Sequence, residues 1–149
     1  MSDDGVTDWE QEIIDRALVI APPWIDRILA GTKTWEMRSR DTRIRGWIGL
    51  IRKGAKQIVG AARIVDTHGP LSAVSMYAAL DRHRIERERL PSVIGSGWTY
   101  AWVLADVQLI DPPVSYSHPR GAVVWVKLKQ TEQANLGLRL ASAASGPVP

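Results

Sequence analysis

The chain has 149 residues, with nine prolines, twelve glycines, seven tryptophans, no phenylalanine and no cysteine. The lack of cysteine excludes disulfides, zinc–thiolate centres, iron–sulfur clusters and thiol nucleophiles. No apolar run approaches the ~20 residues that a membrane-spanning helix needs. The first fifteen residues are acidic and lack the basic start of a secretory signal. These features predict one globular, cytoplasmic domain with no membrane partner.

Charge is distributed unevenly along the chain. The first fifteen residues carry six acids and no base, whereas residues 27–56 carry nine bases and two acids, a local net charge of +7. Such a basic region attracts anionic partners such as a phosphate backbone. A solvated basic loop without a partner is the alternative interpretation.

The first third of the chain predicts strand, helix and strand. The apolar residues 17–21 end at Pro22-Pro23, which is typical of a buried strand followed by a break. Residues 24–29 have helical spacing, and Gly31 stands where a C-cap glycine belongs. Residues 34–38 alternate, so Glu36 and Arg38 share the polar face of a half-buried strand.

Beyond a basic loop over residues 39–45, the pattern predicts a β-rich remainder. A helix is expected over 72–83, a charged exposed segment over 82–90, and a strand over 99–110 that ends at Asp111-Pro112-Pro113. Further strands are predicted over 47–51, 57–66 and 122–128. Five or six strands without regular βαβ alternation indicate an α+β domain, a small mixed β-barrel with two to three flanking helices. A dinucleotide-binding sheet is disfavoured because Pro22-Pro23-Trp24 replaces the glycine-rich loop.

Residues 31–38 have the pattern G-x-K-x-x-E-x-R. This resembles the ASCH domain of the PUA-like superfamily, whose signature has this spacing, and residues 101–104 and 113–126 resemble the closing strands of bacterial ASCH proteins. We therefore expect an acidic N-terminal extension over 1–16, an ASCH (PUA-like) domain over 17–129 and a C-terminal tail over 130–149. The composition of the tail predicts a weakly helical piece followed by disorder.

The motif also predicts a polar site from its chemistry. Glu36 and Arg38 can pair on one strand face, while Lys33 lies on the preceding loop. A lysine beside an acid–arginine pair can hold an anion or polarise a carbonyl. A purely structural Glu36–Arg38 ion pair is the alternative, and Lys33 is the strongest functional candidate.

The resemblance implies a ligand cleft beside this motif and a role with single-stranded RNA or a modified nucleoside. Some ASCH proteins are reported as ribonucleases, and some small members remove the acyl group from N4-acylated cytidine, with a lysine activating a threonine. Lys33 matches that lysine, but Glu36 occupies the threonine position, and Thr34 is not equivalent to it. A non-catalytic reader of a modified base is the third possibility.

Metal-independent RNA cleavage requires cations beside the phosphate and a group that transfers protons. Lys33 and Arg38 are the predicted cations, and His118, with Tyr116 and Ser117 beside it, is the candidate for proton transfer. A His118 bonded to a backbone carbonyl is the alternative. The three histidines have no metal-ligand spacing, so we expect neither a metal nor a cofactor.

Two tryptophans lie next to predicted loops, where an exposed indole can stack on a base: Trp24 and Trp98. The other tryptophans are expected in the core, in place of phenylalanine. RNA-binding side chains are predicted before, in and after the motif, at Trp24, Arg38, Arg40, Arg43 and Arg45, and near the C-terminal strands at Tyr116 and Ser117. The sequence leaves the oligomeric state open.

Overall fold

A computed structural model describes residues 13–144. Its six strands are β1 (Arg16–Ile20), β2 (Trp35–Arg38), β3 (Gly46–Arg52), β4 (Gln57–His68), β5 (Tyr100–Ser115) and β6 (Trp125–Lys127). The α-helices are α1 (Trp24–Leu29), α2 (Ala73–Ala78), α3 (Leu80–His83), α4 (Leu90–Gly95) and α5 (Gln130–Ala144), and a 3₁₀ turn spans Arg87–Arg89.

The strands form one mixed sheet in the order β2-β5-β4-β3-β1-β6. Strand β1 runs parallel to β3 and antiparallel to β6, and β2 runs antiparallel to β5. This confirms the predicted α+β class with a mixed sheet. The described residues hold five α-helices. The segment expected as one helix divides at Ala79 into α2 and α3, α4 follows the charged segment, and the weakly helical piece expected after residue 129 forms α5.

The chain divides into two compact units. Within the described residues, the first unit comprises 13–22, 47–62 and 108–144, and the second comprises 23–46 and 63–107. The core of the first unit is built by inward residues of β1, β3, β4, β6 and α5, among them Ala17, Ile51, Ile58, Val126 and Leu136. The core of the second unit centres on Met37, Met76, Ile85, Leu90 and Ala101.

The segment after residue 129 is more ordered than its composition predicts. Helix α5 begins with Glu132 accepting a 2.8 Å hydrogen bond from the Lys129 backbone N–H, a capping-box contact. Leu136 and Leu140 are then buried in the core of the first unit, which stabilises the helix through packing rather than through propensity. The acidic residues 1–12 and the last residues of the expected tail, 145–149, lie outside the described residues.

Strand β5 also departs from the prediction, since it continues past Asp111-Pro112-Pro113 to Ser115. Proline removes one N–H donor but keeps its carbonyl, so an extended segment can accommodate it where that donor is not needed. The Pro112 carbonyl accepts a 3.3 Å hydrogen bond from Arg139 of α5. Val114, further along the strand, is buried in the core of the first unit.

Candidate functional site

The turn after α1 leads the G-x-K-x-x-E-x-R motif into β2. Gly31 has φ +82°, a left-handed conformation that favours glycine. The backbone N–H groups of Thr32 and Lys33 both donate to the Arg27 carbonyl at 3.1 Å. The predicted glycine therefore follows the end of α1, and Lys33 lies on a closed turn two residues before β2 begins.

Lys33 is buried, with only 2% of its surface exposed. Its Nζ donates hydrogen bonds of 2.6 Å to the backbone carbonyls of Trp35 and His83. Burial lowers the pKa of Lys33 from 10.5 to about 8, while the nearby Glu36 carboxylate opposes this shift and Arg27 adds to it. A neutral amine keeps two N–H donors for the two carbonyls and gains a lone pair, so the fraction of Lys33 that is neutral near pH 8 can act as a base.

Glu36 connects Lys33 to Arg38. One carboxylate oxygen, Oε2, lies 3.0 Å from Arg38 Nε and 2.8 Å from Nη2, and the other, Oε1, lies 3.9 Å from Lys33 Nζ. The guanidinium of Arg38 also lies over the Trp102 ring, at 5.6 Å from its centroid. The predicted acid–arginine pair is therefore present and held in shape, with its second oxygen directed toward Lys33.

A cavity of about 200 Å³ opens beside these groups in the second unit. Its lining combines aromatic walls, the charged groups and two hydroxyls, contributed by Trp24, Lys33, Glu36, Ser92, Ser96 and Trp98. This volume is below the roughly 300–1,000 Å³ of sites for drug-sized ligands, so it fits a single ring. The two tryptophans selected as stacking candidates thus line one cavity together with the motif.

Ser92 and Ser96 were not among the predicted site residues. They lie four positions apart at α4, where helical periodicity directs both side chains to the cavity side. The sequence signal that could have found them is their four-residue spacing. They lie on either side of Val93 and Ile94, which pack on the core, and shortly before Trp98. Both hydroxyls can donate and accept hydrogen bonds.

The two tryptophans differ in what they already contact. Arg27 Cζ lies 5.1 Å and Lys33 Nζ 5.2 Å from the centroid of the Trp24 ring. Trp98 is 42% exposed, and within residues 13–144 no ring or cation contact engages it. Trp98 is therefore the wall with more surface to offer a ligand.

The predicted basic loop over residues 39–45 connects β2 to β3, and its arginines are exposed. Arg40 and Arg43 extend into solvent, whereas Arg45 donates to the carbonyls of Thr42 and Ile44 and to the Thr67 hydroxyl. Hydrogen bonds from Thr67 and from the Thr42 backbone lower the pKa of Asp41 in the same loop. Arg40 and Arg43 have side chains available to an anion, and Arg45 is partly occupied.

His118, Tyr116 and Ser117 belong to the first unit and form a network of their own. His118 Nε2 donates to the Ala122 carbonyl at 2.7 Å, which leaves Nδ1 to accept from the Tyr116 hydroxyl at 2.9 Å. The Ser117 backbone N–H donates to Glu132 at 2.7 Å. This backbone-bonded arrangement is the alternative that was predicted for His118, and proton transfer by His118 stays a prediction.

Residues 13–144 contain neither a metal-binding cluster nor a membrane-spanning helix. No group of three or more histidine, aspartate or glutamate side chains is arranged to hold a metal ion. No helix in the same range is long and apolar enough to cross a membrane.

Comparison with known proteins gives the family. No curated protein sequence matches the chain. Among solved structures, an ASCH protein from Zymomonas mobilis is similar at 16% identity and a TM-score of 0.63, covering 84% of this chain and 94% of that one. A mutant of that Zymomonas mobilis protein is similar at 17% identity and a TM-score of 0.64, covering 83% and 94%. The family model described as the ASCH domain matches residues 18–114, well over half of the chain. The protein belongs to the ASCH domain family, as its motif suggested.

Proposed function

We propose that the protein binds single-stranded RNA or a modified nucleoside by taking one base into the cavity of the second unit. The observation that carries this proposal is the cavity itself, in which Trp24 and Trp98 line the same small space as the buried Lys33–Glu36 pair. Aromatic walls recognise any base face, and fixed polar groups recognise a base edge.

Stacking supplies the first part of the interaction. Trp98 offers an exposed indole face, and stacking on an aromatic side chain is worth ~1–3 kcal/mol per base in single-strand binders. Trp24 is already contacted by Arg27 and Lys33, so it completes the wall rather than moving to meet the ligand. Trp98 is therefore the predicted stacking residue.

The Lys33–Glu36 pair supplies the second part of the interaction with the base. Glu36 Oε1 is an acceptor and Lys33 Nζ a donor, 3.9 Å apart. A nucleobase edge presents hydrogen-bond donors and acceptors side by side, so one base can satisfy both groups. Arg38 holds the other carboxylate oxygen, which fixes Glu36 in position for such contacts. The exposed Arg40 and Arg43 remain candidates for the phosphate backbone.

Equilibrium binding of free nucleosides and of a short single-stranded RNA tests this proposal. The Trp98→Ala variant should bind roughly 5- to 150-fold more weakly, which corresponds to the ~1–3 kcal/mol of one stacked base. Trp98→Phe is the matched control, because it keeps an aromatic face and should retain most of the affinity. Equal affinities of Trp98→Ala and the wild type would contradict the placement of the base, and no RNA or nucleoside binding at low salt would overturn the function.

Hydrolysis in the same cavity is a second candidate, favoured by the lowered pKa of Lys33. A lysine that is partly neutral near pH 8 can accept a proton from a water, from a serine hydroxyl or from the 2′-hydroxyl of RNA. The two reactions to test are removal of the acetyl group from N4-acetylcytidine and cleavage of single-stranded RNA, both in the presence of EDTA.

The variants Lys33→Met and Lys33→Arg show whether any turnover in these two reactions depends on Lys33. Turnover that is lost in both variants would establish lysine-dependent hydrolysis, since arginine keeps the charge but cannot act as a base at this pH. Binding without any turnover by the wild type would instead leave a non-catalytic reader of a base.

A further inference from the structure

We propose that residues 82–89, hereafter the rim segment, bind the phosphate backbone of single-stranded RNA whose base enters the cavity. This inference rests on the proposed function and goes beyond the 39–45 loop that the sequence predicted as the basic surface. It assigns a phosphate role to Arg82, Arg84 and Arg87, where the sequence pattern predicts only a charged exposed segment.

The rim segment borders the cavity through alternate residues. His83 and Ile85 are buried, and Ile85 lines the cavity. The His83 carbonyl is one of the two that bind Lys33 Nζ. The neighbouring Arg82 and Arg84 are exposed, so the same few residues that close the cavity carry cations on their outer side.

The three arginines are held in place by uncharged groups. Arg82 Cζ lies 5.5 Å from the Trp35 ring centroid, Arg87 Cζ lies 5.3 Å from that of Tyr77, and Arg84 Nε donates to the Thr32 carbonyl at 3.0 Å. Among residues 13–144, no carboxylate oxygen lies within ion-pair distance of these three guanidinium groups.

A guanidinium that stacks on a ring keeps its N–H groups at the outer edge, where they can donate to a phosphate. Because the side chains are already positioned, less conformational entropy is lost when the phosphate binds. Base-stacking surfaces beside a basic track are the general arrangement of proteins that hold single strands.

The two glutamates of the rim segment do not cancel the positive charge of its arginines. Glu86 Oε1 is bound by Arg27 Nη2 at 2.8 Å, and the Arg27 side chain lowers the pKa of Glu86. Arg27 Nη1 also donates to the Arg84 carbonyl at 2.7 Å, which fixes the backbone of the segment. With Arg27 included, five arginines face two glutamates, so the local net charge is +3.

The experiment compares the salt dependence of RNA binding in two triple variants. In Arg82→Gln/Arg84→Gln/Arg87→Gln, three phosphate contacts are removed, so the slope of log K against log salt should become less steep by about 2. In Arg82→Lys/Arg84→Lys/Arg87→Lys, the charges remain and most of the slope should be retained. The matched control is Arg120→Gln/Lys127→Gln/Lys129→Gln, which removes the same charge from exposed positions of the first unit and should change the slope little.

These measurements distinguish phosphate binding by the rim segment from base binding in the cavity. Binding of a free, uncharged nucleoside should be unchanged in the glutamine variant, because it makes no phosphate contact. A wild-type slope in the glutamine variant, or equal losses in the lysine and glutamine variants, would overturn the inference while the proposed function stands. Absence of RNA binding by the wild type would overturn the inference, and absence of both RNA and nucleoside binding would overturn the proposed function as well.

Discussion

Lys33 Nζ donates a 2.6 Å hydrogen bond to the backbone carbonyl of His83, a residue fifty positions further along the chain. This contact joins the motif to the end of α3, and it buries an amine that would normally be charged. The carbonyls of His83 and Trp35 satisfy two N–H groups of the amine, and the Glu36 carboxylate stands 3.9 Å away. The cavity therefore holds a lysine whose protonation state is balanced between burial and a nearby acid.

The free energy of unfolding should rise with pH above about 8 because of Lys33. The pKa of Lys33 is about 8 in the folded chain and near 10.5 when unfolded, so between these values the unfolded chain binds more protons. From pH 7 to 9.5 this contributes on the order of 2 kcal/mol of added stability. Urea unfolding at the two pH values measures it, and Lys33→Met is the control that should lack this increment. An identical pH dependence in both chains would contradict the lowered pKa.

Replacing Glu36 should change both stability and the titration of Lys33. In Glu36→Gln the half-buried Arg38 loses the carboxylate oxygen 2.8 Å from its Nη2, which should cost on the order of 3 kcal/mol of unfolding free energy. The variant should also shift the pKa of Lys33 below 8, because Glu36 is the group that raises it. Titration of the lysine ε-carbons by NMR measures this shift. Glu86→Gln, which removes a surface acid, should leave the Lys33 titration in place; an unchanged titration in Glu36→Gln would contradict the coupling.

The parts of the site that depend on near neighbours in sequence were predictable. The spacing of Glu36 and Arg38 on one strand predicts their pairing, and Gly31 marks the end of α1 because a left-handed residue must follow that helix. The mixed α+β architecture followed from the same local patterns. These features need no knowledge of how distant segments meet.

Distant contacts were not predictable in the same way. Nothing around Lys33 in the sequence shows that a carbonyl at residue 83 will bury it, and nothing around Ser92 and Ser96 places them beside the motif. The core positions Leu136 and Leu140 likewise give order to a segment whose composition suggests a tail. In each case tertiary packing decides, and packing depends on the whole fold rather than on a window of sequence.

Acid should destabilise the chain through His83. This fully buried ring accepts a 3.0 Å hydrogen bond from the Ile85 N–H at Nδ1 and donates one of 2.8 Å to the Met76 carbonyl from Nε2, so it must be neutral. Desolvation lowers the pKa of His83 below 6.5, and the nearby Lys33 contributes to the same shift. Below about pH 6.5 the unfolded chain therefore binds the extra proton, and the stability that the neutral ring provides is lost as the pH falls.

His83→Gln tests that prediction, because glutamine can offer one acceptor and one donor without titrating. It should be less stable than the wild type at pH 7.5, by roughly 1–3 kcal/mol for imperfect hydrogen bonds, yet lose less stability on going to pH 5.5. Urea unfolding at both pH values gives the comparison. A steeper acid loss in the variant than in the wild type would contradict the role of His83.

Gly31→Ala and Gly137→Ala should have opposite effects on stability. A Cβ atom at either position meets no other atom within 4 Å, so only the backbone conformation separates the two sites. At Gly31 the φ of +82° should cost alanine about 1–2 kcal/mol, whereas within α5 alanine should stabilise by up to about 1 kcal/mol. Thermal and urea unfolding measure both changes. Because the Gly31 turn also delivers Lys33 to the cavity, Gly31→Ala should weaken nucleoside binding as well, and Gly137→Ala should not. Equal affinities in the two variants would show that the position of Lys33 does not depend on this turn.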